Sequence, residues 1–387
     1  MRKTALVVGG SAATGRSIID ELRARGFDVT VFNRGSHNEG LDPELEFIRG
    51  DPHFVESVRA GLAGRTWDVA VVSYGRVQIF ADELRGRVGQ LITVSGMPVV
   101  ASRAGLPLTE DDPPVTSANE PVGLAKIASK IAAVESAVLR CSSEGHYAGS
   151  VVRYPYVYGP HAVVPMEWHI VKRCLDRRRK WILRSGGLAV VGRSASPNAA
   201  ALIGAILDRP DVAAGNIYHA ADGRQYSQRE WIDIIASLMG HEFEYVDIPA
   251  SIVPLDSSSA PLAGEHLIVL NQRNLTAGIL HHHVSTAEKA RADLGYTEKV
   301  DPLDWMAKTV EYQLAHPPAT DGSHPSLCPL DFNYPAEDEL LTWWDTVVAR
   351  APTPGPAVTR PHPYDHPKPP SANDSVEQAC EGSAPAR

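Results

Sequence analysis

Cysteine is scarce: Cys141, Cys174, Cys328 and Cys380 are spread over 387 residues. Their separations fit neither a zinc-ligand spacing nor a dense disulfide framework, so the chain must be held by its own core, with free thiols in a reducing compartment. Long hydrophobic runs are missing too. No stretch approaches the roughly 18 apolar residues of a membrane span, and the opening MRKTALVVGG breaks at Gly9 and Gly10 before a signal-peptide core forms. Nor is there an excess of positive charge. With 37 basic against 46 acidic residues, the net charge of −9 offers no general grip on nucleic acid or anionic lipid. The short run Arg177-Arg178-Arg179-Lys180 reads as a solvated helix end. The expectation is a cytoplasmic protein with a small-molecule substrate, no nucleic-acid partner and no membrane contact.

What is present is a hydrophobic content of 43%, enough for one large or two modest domains. Strand-like runs at Ala5–Val8, Val29–Phe32, Glu46–Ile48, Val69–Val72 and Leu91–Val94 alternate with amphipathic stretches such as Ile18–Leu22, which Gly26 stops. This alternation implies an α/β fold, a Rossmann-like doubly wound parallel sheet with a smaller C-terminal substrate-binding part. Helices are expected around Ile127–Leu139, Ile170–Leu175, Ala199–Leu207, Gln228–Met239 and Ala336–Ala349. The expected division is a dinucleotide-binding domain over 1–160, to which some later segments return, and a mainly substrate-binding part over 161–350. The Pro-, His- and Ser-rich segment 351–387 is expected to be a disordered tail.

The strongest chemical signal is Gly9-Gly10-Ser11-Ala12-Ala13-Thr14-Gly15, placed between the first strand and the first helix. Gly9 permits the tight turn, small residues at 10 to 13 let backbone amides approach a diphosphate, and Gly15 lets helix pack on strand. The helix start adds unpaired N–H groups and a positive dipole end. At the end of the second strand stand Asn33 and Arg34, where an acidic residue would bind a ribose hydroxyl and an arginine can pair with a 2′-phosphate. The expected cofactor is therefore NADP(H), with NAD(H) second. Arg34 as an ordinary loop cation is the alternative. Asp51 after the third strand could face the adenine, and Ser73 and Tyr74 fall where the crevice opens.

Four segments, Gly9–Gly15, Gly50-Asp51, Thr93-Val94-Ser95 and Val152–Pro160, make the chain resemble the extended and atypical short-chain dehydrogenase/reductases, the epimerase/dehydratase-like superfamily. The late element ending Leu294-Gly295-Tyr296 is also similar, so the likeness covers about 1 to 300. Ala12 departs from the usual middle glycine.

The resemblance implies a tyrosine acid/base, a lysine four residues later and a hydroxyl residue, for which Ser95 is placed. No tyrosine stands before either lysine: Val122 precedes Lys126 by four, and Lys126 precedes Lys130 by four. Either lysine could serve the nicotinamide ribose. Tyr154, Tyr156 and Tyr158 are the nearest substitute proton sources by family position, Tyr154 first, with core packing as the alternative. His161, Glu167, Trp168 and His169 follow in a region that lines the substrate site in relatives. His281-His282-His283 cannot converge on one ion from a strand, so no metal is expected.

The resemblance thus implies an NADP(H)-binding reductase or epimerase/dehydratase-like enzyme acting on a nucleotide sugar or a specialised metabolite. Two alternatives stay open: a redox-inactive isomerase, cyclase or lyase on the same scaffold, and a non-catalytic nucleotide sensor. A homodimer through two long helices is common among similar proteins, and nothing in the sequence establishes one here.

Overall fold

The structure, a computed structural model, describes residues 2–97, 100, 105–116, 122–183, 185–249, 282–318, 332, 334–352 and 355. Most of the expected tail, the stretch 253–259 and His281 lie outside the described residues.

Seven strands form one parallel sheet: β1 (Thr4–Val8), β2 (Asp28–Asn33), β3 (Glu46–Arg49), β4 (Trp67–Val72), β5 (Val88–Gly96), β6 (Ala148–Tyr154) and β11 (Ile217–His219), in the spatial order β11-β6-β5-β4-β1-β2-β3. The order reverses at β1, with β2 on one side and β4 on the other, which defines a crevice beyond the strands' carboxyl ends. Ala5 to Val8 are fully buried, as expected for a central strand covered on both faces. Helices α1 (Ala13–Ala24) and α6 (Ser196–Asp208) share one apolar cluster with that face, through Ile18, Ile19, Leu22, Leu202, Ile203 and Ile206. On the other face, α2 (Val55–Leu62), α3 (Val77–Glu83) and α4 (Val122–Ser143) contribute Val58, Leu62, Phe80, Val138 and Cys141 to a second core.

A separate aromatic core collects Tyr158 of β7 (Tyr156–Tyr158), Trp168 of α5 (Trp168–Leu175), Trp181 of β8 (Lys180–Leu183) and Trp231 of α8 (Gln228–Leu238). Short strands β9 (Val190–Val191), β10 (Arg193–Ala195), β12 (Tyr226–Ser227) and β13 (Glu244–Asp247) pair in twos with β12, β7, β9 and β8. Local signals set the helices. Ser227 and Glu230 make a reciprocal cap on α8, while Asp301 accepts the N–H groups of Leu303 and Asp304 ahead of Pro302. The remaining helices are α7 (Pro210–Ala213), α9 (Glu288–Leu294), α10 (Pro302–Ala315) and α11 (Tyr334–Val348). Buried Arg173 pairs with Glu337 at 3.3 Å, fixing the start of α11 to α5. By compactness the chain parts into Met1–Thr342 and Trp343–Arg387. The second unit holds the last residues of α11, where the Trp343 and Trp344 rings lie 6.0 Å apart.

Candidate active site

The glycine turn after β1 is built by backbone geometry. Gly9 and Gly10 have φ of +112° and +89°, which side chains rarely tolerate. A Cβ on Gly15 would stand 2.5 Å from the Cα of Gly10, so helix and turn touch backbone to backbone. Ser11, Ala12, Ala13 and Thr14 complete the turn with small side chains.

Its polar neighbours are mostly committed to holding it. Asn33 donates to the Gly9 carbonyl at 3.2 Å and to Asn38 at 2.7 Å, and accepts from the Gly35 N–H at 2.9 Å. Ser73 Oγ donates to the Val8 carbonyl at 2.9 Å. Arg16, not singled out from the sequence, donates to the Ser11 carbonyl at 2.8 Å and also to that of Glu39. Its guanidinium ties the turn to the loop after β2.

At the crevice's outer end, exposed Arg34 reaches Tyr74 Oη at 3.4 Å with its guanidinium 5.9 Å from the ring centre. The His53 ring meets the edge of Tyr74 at 5.2 Å, and Asp51 accepts from the His53 backbone at 2.9 Å. That bond, followed by the His53 side chain and the charge of Arg34, holds the Asp51 carboxyl below the usual carboxylate range. Arg34, Asp51 and Tyr74 are thus brought together at the ends of β2, β3 and β4.

The proposed catalytic residues are not brought together. Ser95 ends β5 and donates to Glu135 Oε1 at 2.6 Å. Glu135, on α4, is clamped by Arg153 of β6 through two bonds of 2.9 Å, with both side chains buried. Arg153 also lies 3.5 Å from Nε2 of His219, whose backbone N–H donates to Glu110 at 2.6 Å. Burial and the charge of Arg153 push the His219 imidazole down to about 3. This network at the ends of β5, β6 and β11 was missed in the sequence, where only Ser95 was placed in the site.

Lys126 and Lys130 are exposed. At 3.6 residues per turn, Glu135 lies roughly 140–180° around α4 from them, so both lysines face away from the Ser95 network. The residues one and two turns before Glu135 on its own side are Ile131 and the buried Ala128, whereas Ile127 is exposed. Tyr154 is buried, and its hydroxyl donates to the Ala199 carbonyl at 3.3 Å, inside the core shared with α6.

Farther along, Glu167 is fully buried and accepts from Tyr156 at 3.1 Å; burial pushes its carboxyl up to about 7. His169 is buried against Phe332, and burial followed by Arg173 lowers it to about 3. Among the described residues, no group of three His, Cys, Asp or Glu side chains gathers as metal ligands, and no helix is long and apolar enough to cross a membrane.

Comparison of the sequence with protein-family models and with curated proteins finds no match. Solved structures do match. The chain is similar to dTDP-glucose 4,6-dehydratase of Bacillus anthracis in complex with NAD, at 16% identity and a TM-score of 0.61, over 81% of this chain and 97% of that one. It is similar to UDP-glucose 4-epimerase of Thermotoga maritima with UDP-glucose, at 15% identity and 0.63, over 81% and 99%. A putative epimerase of Burkholderia cenocepacia gives 16% and 0.64, over 81% and 98%. The fold is the Rossmann-like α/β fold of these dehydratase and epimerase structures, as the sequence pattern implies. No particular activity follows from likeness at this level of identity.

Proposed function

We propose that this chain is a nicotinamide-dinucleotide-binding protein of the epimerase/dehydratase type, with NADP(H) as cofactor and a hydroxyl-bearing small molecule as substrate. The carrying observation is the Gly9–Gly15 turn, which is closed by glycine-to-glycine contact yet leaves small residues where a diphosphate would approach. Arg34 beside Tyr74 offers a guanidinium and an aromatic face to the adenosine end, the chemistry a 2′-phosphate calls for. The dehydratase and epimerase neighbours, one with NAD and one with UDP-glucose, support a nucleotide sugar as the substrate class.

Bound nicotinamide would supply hydride transfer. The residues of the chain do the rest. Ser95 gives its one proton to Glu135, a carboxylate held by Arg153, so its oxygen turns lone pairs to the crevice. Such an oxygen accepts from a substrate hydroxyl and cannot donate to a carbonyl. Tyr154, Lys126 and Lys130 act in packing and solvation, and not at the reacting atoms.

A second reading is favoured by Ala128 and Ile131 on the Glu135 side of α4: with apolar residues there, the scaffold would run redox-silent isomerase or lyase chemistry, or only sense the nucleotide. Fluorescence titration with NADPH and NADH tests the primary reading. The expected result is tighter NADPH binding, with Arg34→Ala weakening NADPH about tenfold or more while leaving NADH within about twofold. A wild-type preference for NADH would move the assignment to NAD(H). Binding of neither would sink it, and turnover without any nucleotide would establish the second reading.

A further inference from the structure

Gly159, Pro160 and His161 carry the chain from β7 toward α5, and here the substrate-side loop touches the phosphate turn. A Cβ on Gly159 would lie 2.8 Å from the Trp305 indole nitrogen and 2.7 Å from Ser196 Oγ, so the backbone is pressed against α10 and α6. His161 follows with φ of +63°, a left-handed conformation uncommon for a residue with a side chain. Its carbonyl accepts from the Ala13 N–H at 3.2 Å. The ring is held from the opposite side: Tyr312 Oη lies 3.0 Å from Nδ1, the two rings are 4.5 Å apart, and Tyr312 in turn stacks on His316 at 4.4 Å. Burial, then the charges of Arg16 and His316, lower the His161 pKa, which favours the neutral imidazole beside the tyrosine hydroxyl.

Ala13 opens α1, and its N–H has no acceptor within the helix. It is therefore among the donors that a diphosphate at this turn needs, and one N–H cannot serve a carbonyl and a phosphate at full strength. Resting on the nucleotide reading above, we infer that the His161 peptide is a latch competing with the diphosphate for Ala13, and that Tyr312 is the positioning residue that keeps it closed. Nucleotide binding then lifts the loop that begins at Gly159, coupling the cofactor crevice to the segment leading to Glu167. A cavity of about 240 Å3, bordered by Ala13, Arg16, Pro160, His161, Ser196 and Trp305, lies beside the latch and gives it room to move.

The full chain, its Tyr312→Phe variant and its His161→Gly variant are titrated with NADPH and NADH, and exchange of the Ala13 amide is followed without nucleotide. Opening the latch is expected to tighten both nucleotides threefold to tenfold, because the diphosphate is common to them, and to speed Ala13 exchange. A merely structural role for Tyr312 would leave affinity unchanged or weaken it. Should Tyr312→Phe fail to fold, His161→Gly carries the test, since glycine keeps the left-handed backbone and loses the anchoring ring. Unchanged or weaker binding with wild-type exchange overturns the latch while leaving the nucleotide reading intact. Absence of binding in every form overturns both, and binding that appears only in a variant supports the latch.

Discussion

The glycine turn and the Ser95 network both lie at the carboxyl ends of strands of one sheet but are made of different material. The turn works through main chain: Gly9, Gly10 and Gly15 set its path, while Asn33, Ser73 and Arg16 brace it. The network works through side chains on three elements, with a buried carboxylate locked by a buried guanidinium. A site of the first kind is tolerant of what surrounds it and intolerant of any added Cβ. A site of the second kind depends on helix phase, and a rotation of α4 by half a turn would change its chemistry.

The largest break in that comparison is Glu135→Ala, which leaves Arg153 buried without its partner. It is expected to cost about 3–5 kcal/mol in urea unfolding, and a Glu135→Leu/Arg153→Met double variant should recover most of that loss. A cost below about 1 kcal/mol would show the pair to be solvated.

Next in size is a pH effect from a buried side chain that belongs to neither region, Glu167. Glu167, raised from an ordinary 4.5 to about 7, keeps its proton in the folded chain while the unfolded chain releases it. The folded state thus binds more protons across that window, and stability falls as pH rises through it. Measured against Glu167→Gln, the wild type should lose about 3 kcal/mol between pH 4 and pH 8. A flat difference would sink the assignment of a buried, protonated carboxyl.

On the turn side, Gly15→Ala drives a Cβ into Gly10 at 2.5 Å from its Cα, backbone that cannot swing aside. An expected loss of about 1–3 kcal/mol should appear in thermal or urea melts. The smallest effect tests helix phase: Lys126→Ala and Lys130→Ala should each change stability by no more than about 0.5 kcal/mol and leave nucleotide affinity alone. A tenfold drop in affinity from either would restore that lysine to the site.

Much of the architecture was legible in sequence because parallel strands buried on both faces read as short apolar runs, and Ala5–Val8, Val29–Phe32, Val69–Val72 and Leu91–Val94 all fall within strands. The helices expected around 127–139, 170–175, 199–207, 228–239 and 336–349 are present with slightly different ends. Helix α10 was overlooked although Asp301 and Pro302 are a capping pair and Leu303, Met306, Val310 and Leu314 follow at helical spacing; Trp305 and Tyr312 on the opposite face blur that stripe. Ser95 was read at its strand end, where the structure has it bonded to Glu135. The lysines' orientation was not legible, because a four-residue spacing fixes that two side chains share a face, and not which face; the burial of Ala128, Glu135 and Val138 places the lysines on the exposed one. The His161 contact had no sequence signal, because it is made by a carbonyl.

The two carbonyls held by Arg16 belong to the glycine turn and to the loop after β2, segments that on the nucleotide reading proposed above would meet the diphosphate and the adjoining adenosine ribose. A single side chain therefore sets the span between those grips. On that reading a bulkier group in place of the adenosine end would have to displace this strut, and the breadth of ligands admitted would depend on residue 16 as well as on residue 34.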